Sequence, residues 1–131
     1  MSSKEQLKTV ALSVLENAYS PYSNIKVAAA IMDKEGHIYK GVNVENGGYS
    51  PTICGERNAI FSGITEGSRD FIEMAIVTDS SLVKSPCGTC RQVLSELAPD
   101  LKIYFYGPNN YYQEFTVKEL LPAAFTLKEE K

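Results

Sequence analysis

The amino-acid sequence predicts an α/β protein, a three-layer α/β/α sandwich with a central mixed sheet of five strands. Segments with the apolar periodicity of helices alternate with short apolar runs of strand length, in the order α-β-β-α-β-α-β-β-α. Turn-forming residues separate these segments, and no internal repeat or linker rich in proline and glycine divides the chain. We therefore expect residues 1–131 to form a single domain.

The first half of the chain predicts a helix, a hairpin and a second helix. Apolar residues recur at helical spacing over residues 3–18, which indicates an amphipathic helix. Residues 27–32 are a continuous apolar run, and residues 33–36 have the composition of a hairpin turn. Residues 37–42 are therefore expected to return as the second strand. A second helix is expected over residues 54–66, where it ends near a glycine.

The second half predicts three more strands and two more helices. Residues 71–78 end in an apolar run, which is typical of a buried central strand. A helix is expected over residues 87–97, after a Ser-Pro pair, and a fourth strand over residues 101–106. Residues 112–116 are expected to form a fifth strand, followed by a short helix over residues 117–121.

Composition and charge exclude several classes of partner. The formal net charge is −3 and no run of lysine or arginine is present, so a polymeric nucleic acid is not expected as a partner. No apolar stretch has the length of a membrane span, and the first residues lack the apolar core of a signal peptide. The three cysteines are an odd number. Reduced thiols and a cytoplasmic location are the simplest interpretation.

The cysteines fall at the starts of two predicted helices. Cys87 and Cys90 form a Cys-x-x-Cys pair on one helical face, and Cys54 opens the other helix. Helix starts meet at the carboxyl edge of the strands in an α/β sheet, so the three sulfurs can converge there. A helix N-terminus also lowers the pKa of a thiol, and thiolates suit Zn²⁺.

Three protein ligands leave one position of zinc open to water, which is typical of a catalytic site. Zinc can lower the pKa of bound water to roughly 7. Three thiolates give the site a net charge of −1, which Arg57 or Arg91 can offset. Glu56 lies two residues after Cys54, close enough to exchange protons with that water. The Cys-x-Glu followed by Pro-Cys-x-x-Cys is the signature of zinc deaminases.

Four further stretches make the sequence similar to the small homotetrameric cytidine deaminases over nearly its whole length. They are residues 18–23 (AYSPYS), 41–46 (GVNVEN), 90–94 (CRQVL) and 120–125 (LLPAAF). The resemblance implies hydrolytic deamination of cytidine and 2′-deoxycytidine to uridine and 2′-deoxyuridine plus ammonia, in pyrimidine salvage. It also implies a homotetramer with shared active sites.

The same resemblance assigns the chemistry of the site. Cys54, Cys87 and Cys90 would bind one Zn²⁺ per subunit, and Arg57 would hydrogen-bond their sulfurs. Glu56 would protonate N3 of the cytosine ring and then the leaving amine, while water adds at C4.

Further residues would contact the substrate. Asn43 and Glu45 would hydrogen-bond the ribose hydroxyls, and Phe125 would cover the base from a neighbouring subunit. Tyr49 lies where the family lends another residue to a neighbouring site. Ile25 stands where the family usually has an aromatic residue against the base, so some stacking energy is lost.

Gly55 stands where alanine is common in the family. Less bulk at this position predicts room for substituents on N4 of the cytosine, so N4-substituted cytidines are one substrate alternative. Blasticidin S is another, because its deaminases share the zinc motif, but the intact stretch over residues 43–46 favours a free ribose. A nucleic-acid editing deaminase is a further alternative, but its backbone contacts usually need a longer and more basic chain.

Structural roles remain open for the same residues. The cysteines can hold a closed zinc site with His37 as the fourth ligand, or pack as small apolar residues. Glu56 can simply complement the helix dipole. Asn43 can serve a turn at a strand end, and Phe125 can belong to the core.

Overall fold

The computed structural model describes residues 2–127 and confirms the predicted order of elements. The helices and strands are α1 (Ser3–Val14), β1 (Val27–Asp33), β2 (Ile38–Val42), α2 (Gly55–Thr65), β3 (Phe71–Thr78), α3 (Gly88–Leu97), β4 (Lys102–Tyr106), β5 (Tyr112–Thr116) and α4 (Val117–Leu120).

The first helix ends earlier than the apolar periodicity predicts. It stops at Val14 and is followed by a 3₁₀ turn over Leu15–Asn17. Ala18 is already extended, because the next residue, Tyr19, pairs with Val44 in an isolated bridge. This long-range pairing overrides the helical pattern at the end of α1.

The five strands form one mixed sheet in the order β2-β1-β3-β4-β5. Strand β1 is antiparallel to both β2 and β3, β3 is parallel to β4, and β5 is antiparallel to β4. All seven residues of β1 are buried. Because β1 has a strand on each side and a helical layer on each face, it forms the middle of the molecule.

Helices cover both faces of the sheet, as the three-layer prediction requires. Ala28 and Ala30 of β1 face α1, where they pack with Leu7 and Ala11. The intervening residues of β1 face α2 and α3 and join the larger core cluster. Gly41 of β2 allows α2 to approach closely, because a Cβ atom there would lie 2.4 Å from the backbone nitrogen of Ala59.

The topology brings the starts of α2 and α3 to one edge of the sheet. Strands β2 and β3 are both antiparallel to β1, so they run in the same direction and end at the same edge. Helix α2 follows β2 along the chain, and α3 follows β3. None of the helices within residues 2–127 is long and apolar enough to cross a membrane.

Candidate active site and metal centre

The three cysteines converge where the two helices begin. The sulfur atoms of Cys54, Cys87 and Cys90 all lie within 4.8 Å of one another. The sulfurs of Cys54 and Cys87 are 3.5 Å apart. Three sulfurs bound to one tetrahedral zinc at about 2.3 Å would be separated by about 3.8 Å, so the cluster fits that ion. No other group of three or more potential metal ligands occurs within residues 2–127.

Local helix structure fixes the position of each sulfur. Cys54 is the N-cap residue of α2, and Cys87 is the N-cap residue of α3. The sulfur of Cys87 accepts a hydrogen bond from the backbone N–H of Cys90 at 3.4 Å. Cys90 is buried and Cys87 is exposed, with Cys54 between these extremes. The cluster therefore lies at the boundary between the core and solvent, with all three thiols free of disulfide bonds.

The pKa values of the three thiols are shifted in different directions. Hydrogen bonds from Cys54 and Cys90 hold the pKa of the Cys87 thiol far below its ordinary value. The pKa of Cys54 is raised chiefly by its hydrogen bond to Cys87, and that of Cys90 by its bonds to both neighbours. The lowered pKa of Cys87 favours its thiolate, which is the form that binds zinc.

Arg57 supplies the cation that the charge of the site requires. Its Nη2 atom donates to the sulfur of Cys54 at 3.4 Å. Burial by itself lowers the pKa of Arg57, but the hydrogen bonds to Cys54 and Cys90 outweigh it and raise that pKa. Arg91, the other cation considered from the sequence, instead donates to the backbone oxygens of Pro86 and Leu120.

Glu56 is a buried carboxylate beside the sulfurs. Only 4% of the residue is exposed, although it lies in the first turn of α2. Its Oε1 atom is buried and has no hydrogen-bond partner. Burial raises the pKa of Glu56 to about 7. A carboxylate placed only to complement the helix dipole would remain in solvent, whereas this one can take up a proton near neutral pH.

A cavity of about 220 Å³ opens beside Glu56 and the cysteines. It is lined by Ser23, Ile25, Val27, Asn43, Glu45, Thr52, Ile53, Cys54, Glu56, Val83, Ser85 and Cys87. A second cavity of about 300 Å³ shares Ser23, Glu45 and Thr52 with it and also contacts Tyr49. The two cavities are adjacent, because they share these three lining residues, and together they are called the cleft.

Asn43 and Glu45 lie in this cleft, each held by hydrogen bonds. The Oδ1 atom of Asn43 accepts from the backbone N–H of Val27 at 2.8 Å, and its Nδ2 atom donates to the carbonyl of Ile25 at 2.8 Å. The Oε1 atom of Glu45 accepts two backbone N–H groups of the preceding loop at 3.0 Å. The hydroxyl of Ser23 donates to Oε2 and lowers the pKa of Glu45, which keeps it ionised.

The two aromatic residues predicted to act between subunits are exposed in the single chain. Tyr49 is 83% exposed at the second cavity, and Phe125 is 68% exposed. Tyr49 has a left-handed backbone with φ of 64°, which is unusual for a bulky residue and often marks a functional turn. Phe125 is therefore not a core residue.

Two sequence-based interpretations need correction. A Cβ atom on Gly55 would lie 2.8 Å from the carbonyl oxygen of Val27, so Gly55 faces β1 rather than the cavity. The glycine permits close packing of α2 on the sheet and does not leave room for an N4 substituent. His37 contacts Asp33 at 3.4 Å and lines a separate cavity, so it does not complete a closed site with the cysteines.

Sequence reasoning missed several residues of the cleft. Ser23 had been noted only as part of the AYSPYS stretch, yet it holds Glu45, which is 22 residues away in the chain. Val83 and Ser85 line the cavity from the loop before α3, where no motif marks Val83. Ser85 directly precedes the Pro-Cys pair, and this position in the sequence could have identified it as a residue near the cysteines.

Comparisons with known proteins agree with this geometry. Residues 1–106 match the family described as the cytidine and deoxycytidylate deaminase zinc-binding region. A cytidine deaminase of Halalkalibacterium halodurans is 43% identical over 127 residues, which is 96% of each chain. One from Sporosarcina psychrophila is 41% identical over 93% of this chain and 90% of the relative. A blasticidin-S deaminase of Bacillus cereus is 35% identical over 76% of each chain.

Solved structures confirm the fold as well. The crystal structure of cytidine deaminase from Burkholderia pseudomallei superimposes with a TM-score of 0.89 at 38% identity, covering 95% of this chain and all of that one. Cytidine deaminase from Mycobacterium tuberculosis gives a TM-score of 0.81 at 33% identity, covering 97% of this chain and all of that one. With its clustered cysteines and buried glutamate, the chain belongs to the zinc-binding cytidine and deoxycytidylate deaminase family.

Proposed function

We propose that this protein catalyses the zinc-dependent hydrolytic deamination of cytidine and 2′-deoxycytidine to uridine and 2′-deoxyuridine plus ammonia, in cytoplasmic pyrimidine salvage. The observation that carries the proposal is the buried carboxylate of Glu56, whose Oε1 atom has no hydrogen-bond partner, beside three clustered sulfurs in a cavity. The relatives named cytidine deaminase match almost the whole chain and support the same substrate.

Cys54, Cys87 and Cys90 would hold the zinc ion. Bound zinc supplies a Lewis acid that lowers the pKa of water to roughly 7. Arg57 donates to Cys54, which withdraws negative charge from the sulfur and so preserves the acidity of the metal. We assign Arg57 the role of tuning the three ligands rather than of contacting the substrate.

Glu56 moves the protons of the reaction. Addition of water at C4 of cytosine requires a base to accept a water proton, and N3 then requires that proton. The carboxylate has a pKa raised to about 7 by burial, so both of its protonation states are accessible near neutral pH. Glu56 therefore accepts the first water proton and delivers it to N3. It then takes the proton of the new C4 hydroxyl and transfers it to the amino group, which leaves as ammonia while the C4 carbonyl forms.

Asn43 and Glu45 offer a matched donor and acceptor to a sugar hydroxyl. The Nδ2 atom of Asn43 uses one of its two N–H bonds on Ile25, and the second is available. The Oε2 atom of Glu45 accepts Ser23 and retains a lone pair. A ribose hydroxyl can accept from the amide and donate to the carboxylate at the same time, which favours a nucleoside over a free base.

The exposed aromatic side chains support a homotetramer with shared active sites. Phe125 and Tyr49 are among the most exposed large side chains of the described residues. Such aromatic residues usually mark an interface. Ile25 covers the base from within the chain, and we propose that Phe125 and Tyr49 complete neighbouring sites across subunit boundaries.

The test is loss of absorbance at the cytidine band on addition of the purified protein. Cytidine, 2′-deoxycytidine, an N4-alkyl cytidine, blasticidin S and a short single-stranded oligonucleotide are compared at equal concentration. We expect turnover of cytidine and 2′-deoxycytidine far above the others. Activity confined to blasticidin S or to the oligonucleotide would contradict the proposal, as would zinc-loaded protein with no turnover of any cytosine compound.

A further inference from the structure

Two adjacent residues of α3 reach from the metal-binding turn to the C-terminal segment, defined here as residues 120–127. Arg91 donates through Nη1 to the carbonyl of Leu120 at 3.0 Å. Gln92 donates through Nε2 to the carbonyl of Phe125 at 3.0 Å. Both residues directly follow Cys90, so the metal-binding turn and the C-terminal segment meet at the same place on α3.

Arg91 joins more than two parts of the chain. Its Nε atom donates to the carbonyl of Pro86 at 2.8 Å, and its Nη2 atom donates to the hydroxyl of Ser85 at 2.6 Å. Every acceptor is neutral, so the guanidinium acts as a rigid planar fork rather than as an ion-pair partner. The single side chain thereby fixes the loop before Cys87 and the end of α4 relative to each other.

The C-terminal segment has little packing of its own. Residues 122–127 are all exposed, and the segment follows α4, a helix of only 4 residues. Ala123 has a left-handed φ of 54°, which is unfavourable for a residue with a Cβ atom. The hydrogen bonds from Arg91 and Gln92 therefore join this largely exposed segment to α3.

We propose that Gln92, together with Arg91, is a positioning residue that holds Phe125 at a fixed place relative to the zinc ligands. This inference rests on the proposed function, in which Phe125 covers the base bound to a neighbouring subunit. Gln92 has no contact with the cavity and acts only through the Phe125 backbone. Loss of its N–H donor frees the chain around Phe125, so part of the aromatic contact with the substrate is lost.

A double-mutant cycle tests the proposal in zinc-loaded protein. Gln92→Ala is expected to raise KM for cytidine about three- to tenfold with kcat within about twofold, because one neutral hydrogen bond contributes on the order of 1 kcal/mol. In a Phe125→Ala background the same change should alter KM by less than about twofold, since the two residues act through one contact. Phe125→Leu serves as a milder background should Phe125→Ala fail to assemble.

Gln113→Ala is the matched control, because Gln113 is exposed on β5 away from the site. Hydrogen–deuterium exchange provides a readout independent of activity: Gln92→Ala should increase exchange in the C-terminal segment and leave bound zinc unchanged. Additive losses in the cycle, or unchanged exchange, would overturn this inference alone. Absence of cytidine turnover by the unsubstituted protein would overturn the proposed function, and this inference with it.

Discussion

The starts of α2 and α3 share a Cys-Gly sequence and both deliver sulfur, yet their surroundings differ. At α2 the glycine is pressed against the backbone of β1, and the following Glu56 is buried. At α3 a Cβ atom on Gly88 would meet nothing within 4 Å, and Cys87 is exposed. The glycine of this dipeptide therefore has no room for a side chain at the start of α2, whereas a side chain could be accommodated at the start of α3.

This difference separates two tasks within one site. The start of α2 holds Glu56, the group proposed to transfer protons, in a buried position that raises its pKa to about 7. The start of α3 supplies two of the three sulfurs, one from the exposed Cys87 and one from the buried Cys90. Through Arg91 it is also connected to the loop before Cys87 and to Leu120. We therefore expect proton transfer to depend on the closely packed start of α2, and the link to the C-terminal segment to depend on the more open start of α3.

The largest expected effect comes from exchanging the acid at the α2 start. Glu56→Gln should lower kcat for cytidine by about 10²- to 10⁴-fold, because an amide cannot transfer the proton. Zinc content, measured by atomic absorption, should remain at one per chain. Thr89→Val changes the corresponding position of α3, which is exposed, and should retain nearly full activity. Comparable losses in both variants would remove the distinction between the two helix starts.

Removal of zinc should destabilise the protein by about 3–4 kcal/mol if the ion is present at 100 to 1,000 times its Kd. Chelation followed by denaturant unfolding measures this change. Hydrogen–deuterium exchange should increase more at the start of α3 than at the start of α2, because α2 also packs on β1. Equal increases at both would show that the metal alone organises each helix start.

The two glycines provide a direct test of packing. Gly55→Ala should lower the free energy of unfolding by about 1–3 kcal/mol, because the new methyl group meets the backbone of β1. Gly88→Ala should be neutral or slightly stabilising, since its position is open and alanine favours a helix. Urea unfolding of both variants gives the difference. A neutral Gly55→Ala would show that α2 can move away from the sheet.

A smaller effect is expected from the guanidinium at α3. Arg91→Lys keeps the charge but cannot donate to three acceptors in fixed geometry, so the free energy of unfolding should fall by about 1 kcal/mol. Zinc should also dissociate faster in a competition with a chromogenic chelator. Arg69→Lys is the control, because Arg69 also binds backbone carbonyls but lies on an exposed loop. Identical zinc release from both variants would contradict the role given to Arg91.

Apolar periodicity and turn residues were enough to predict the element order, because each element buries a face that its own sequence defines. The clustering of the three cysteines could also be predicted, since Cys54 and the Cys-x-x-Cys pair stand at helix starts. What the sequence could not supply was contact between distant segments. The bond from Ser23 to Glu45 and the bridge from Tyr19 to Val44 depend on how loops fold over the sheet edge.

Gly55 shows why residue identity alone misled. A glycine in this position can leave room for a substrate group, or it can allow a neighbouring strand to pack closely. Only the direction in which a Cβ atom would point distinguishes the two cases, and at Gly55 it points toward the backbone of β1.

The sequence also could not show which arginine contacts the sulfurs. Arg57 lies three residues after Cys54, and Arg91 lies one residue after Cys90, so both are near a cysteine. The Arg57 side chain turns toward the sulfur of Cys54, whereas the Arg91 side chain turns toward the carbonyl of Pro86. The sequence does not show which acceptor each arginine reaches.

Cys54 and Cys87 are 33 residues apart in the chain, and all of β3 lies between them. During synthesis or refolding, the thiols stay apart and unprotected until β3 has joined β1, a long-range step that is slow compared with helix formation. An oxidant present in that interval can capture a sulfur before the metal does. The yield of active protein from refolding should therefore depend on reductant and on the moment at which zinc is added.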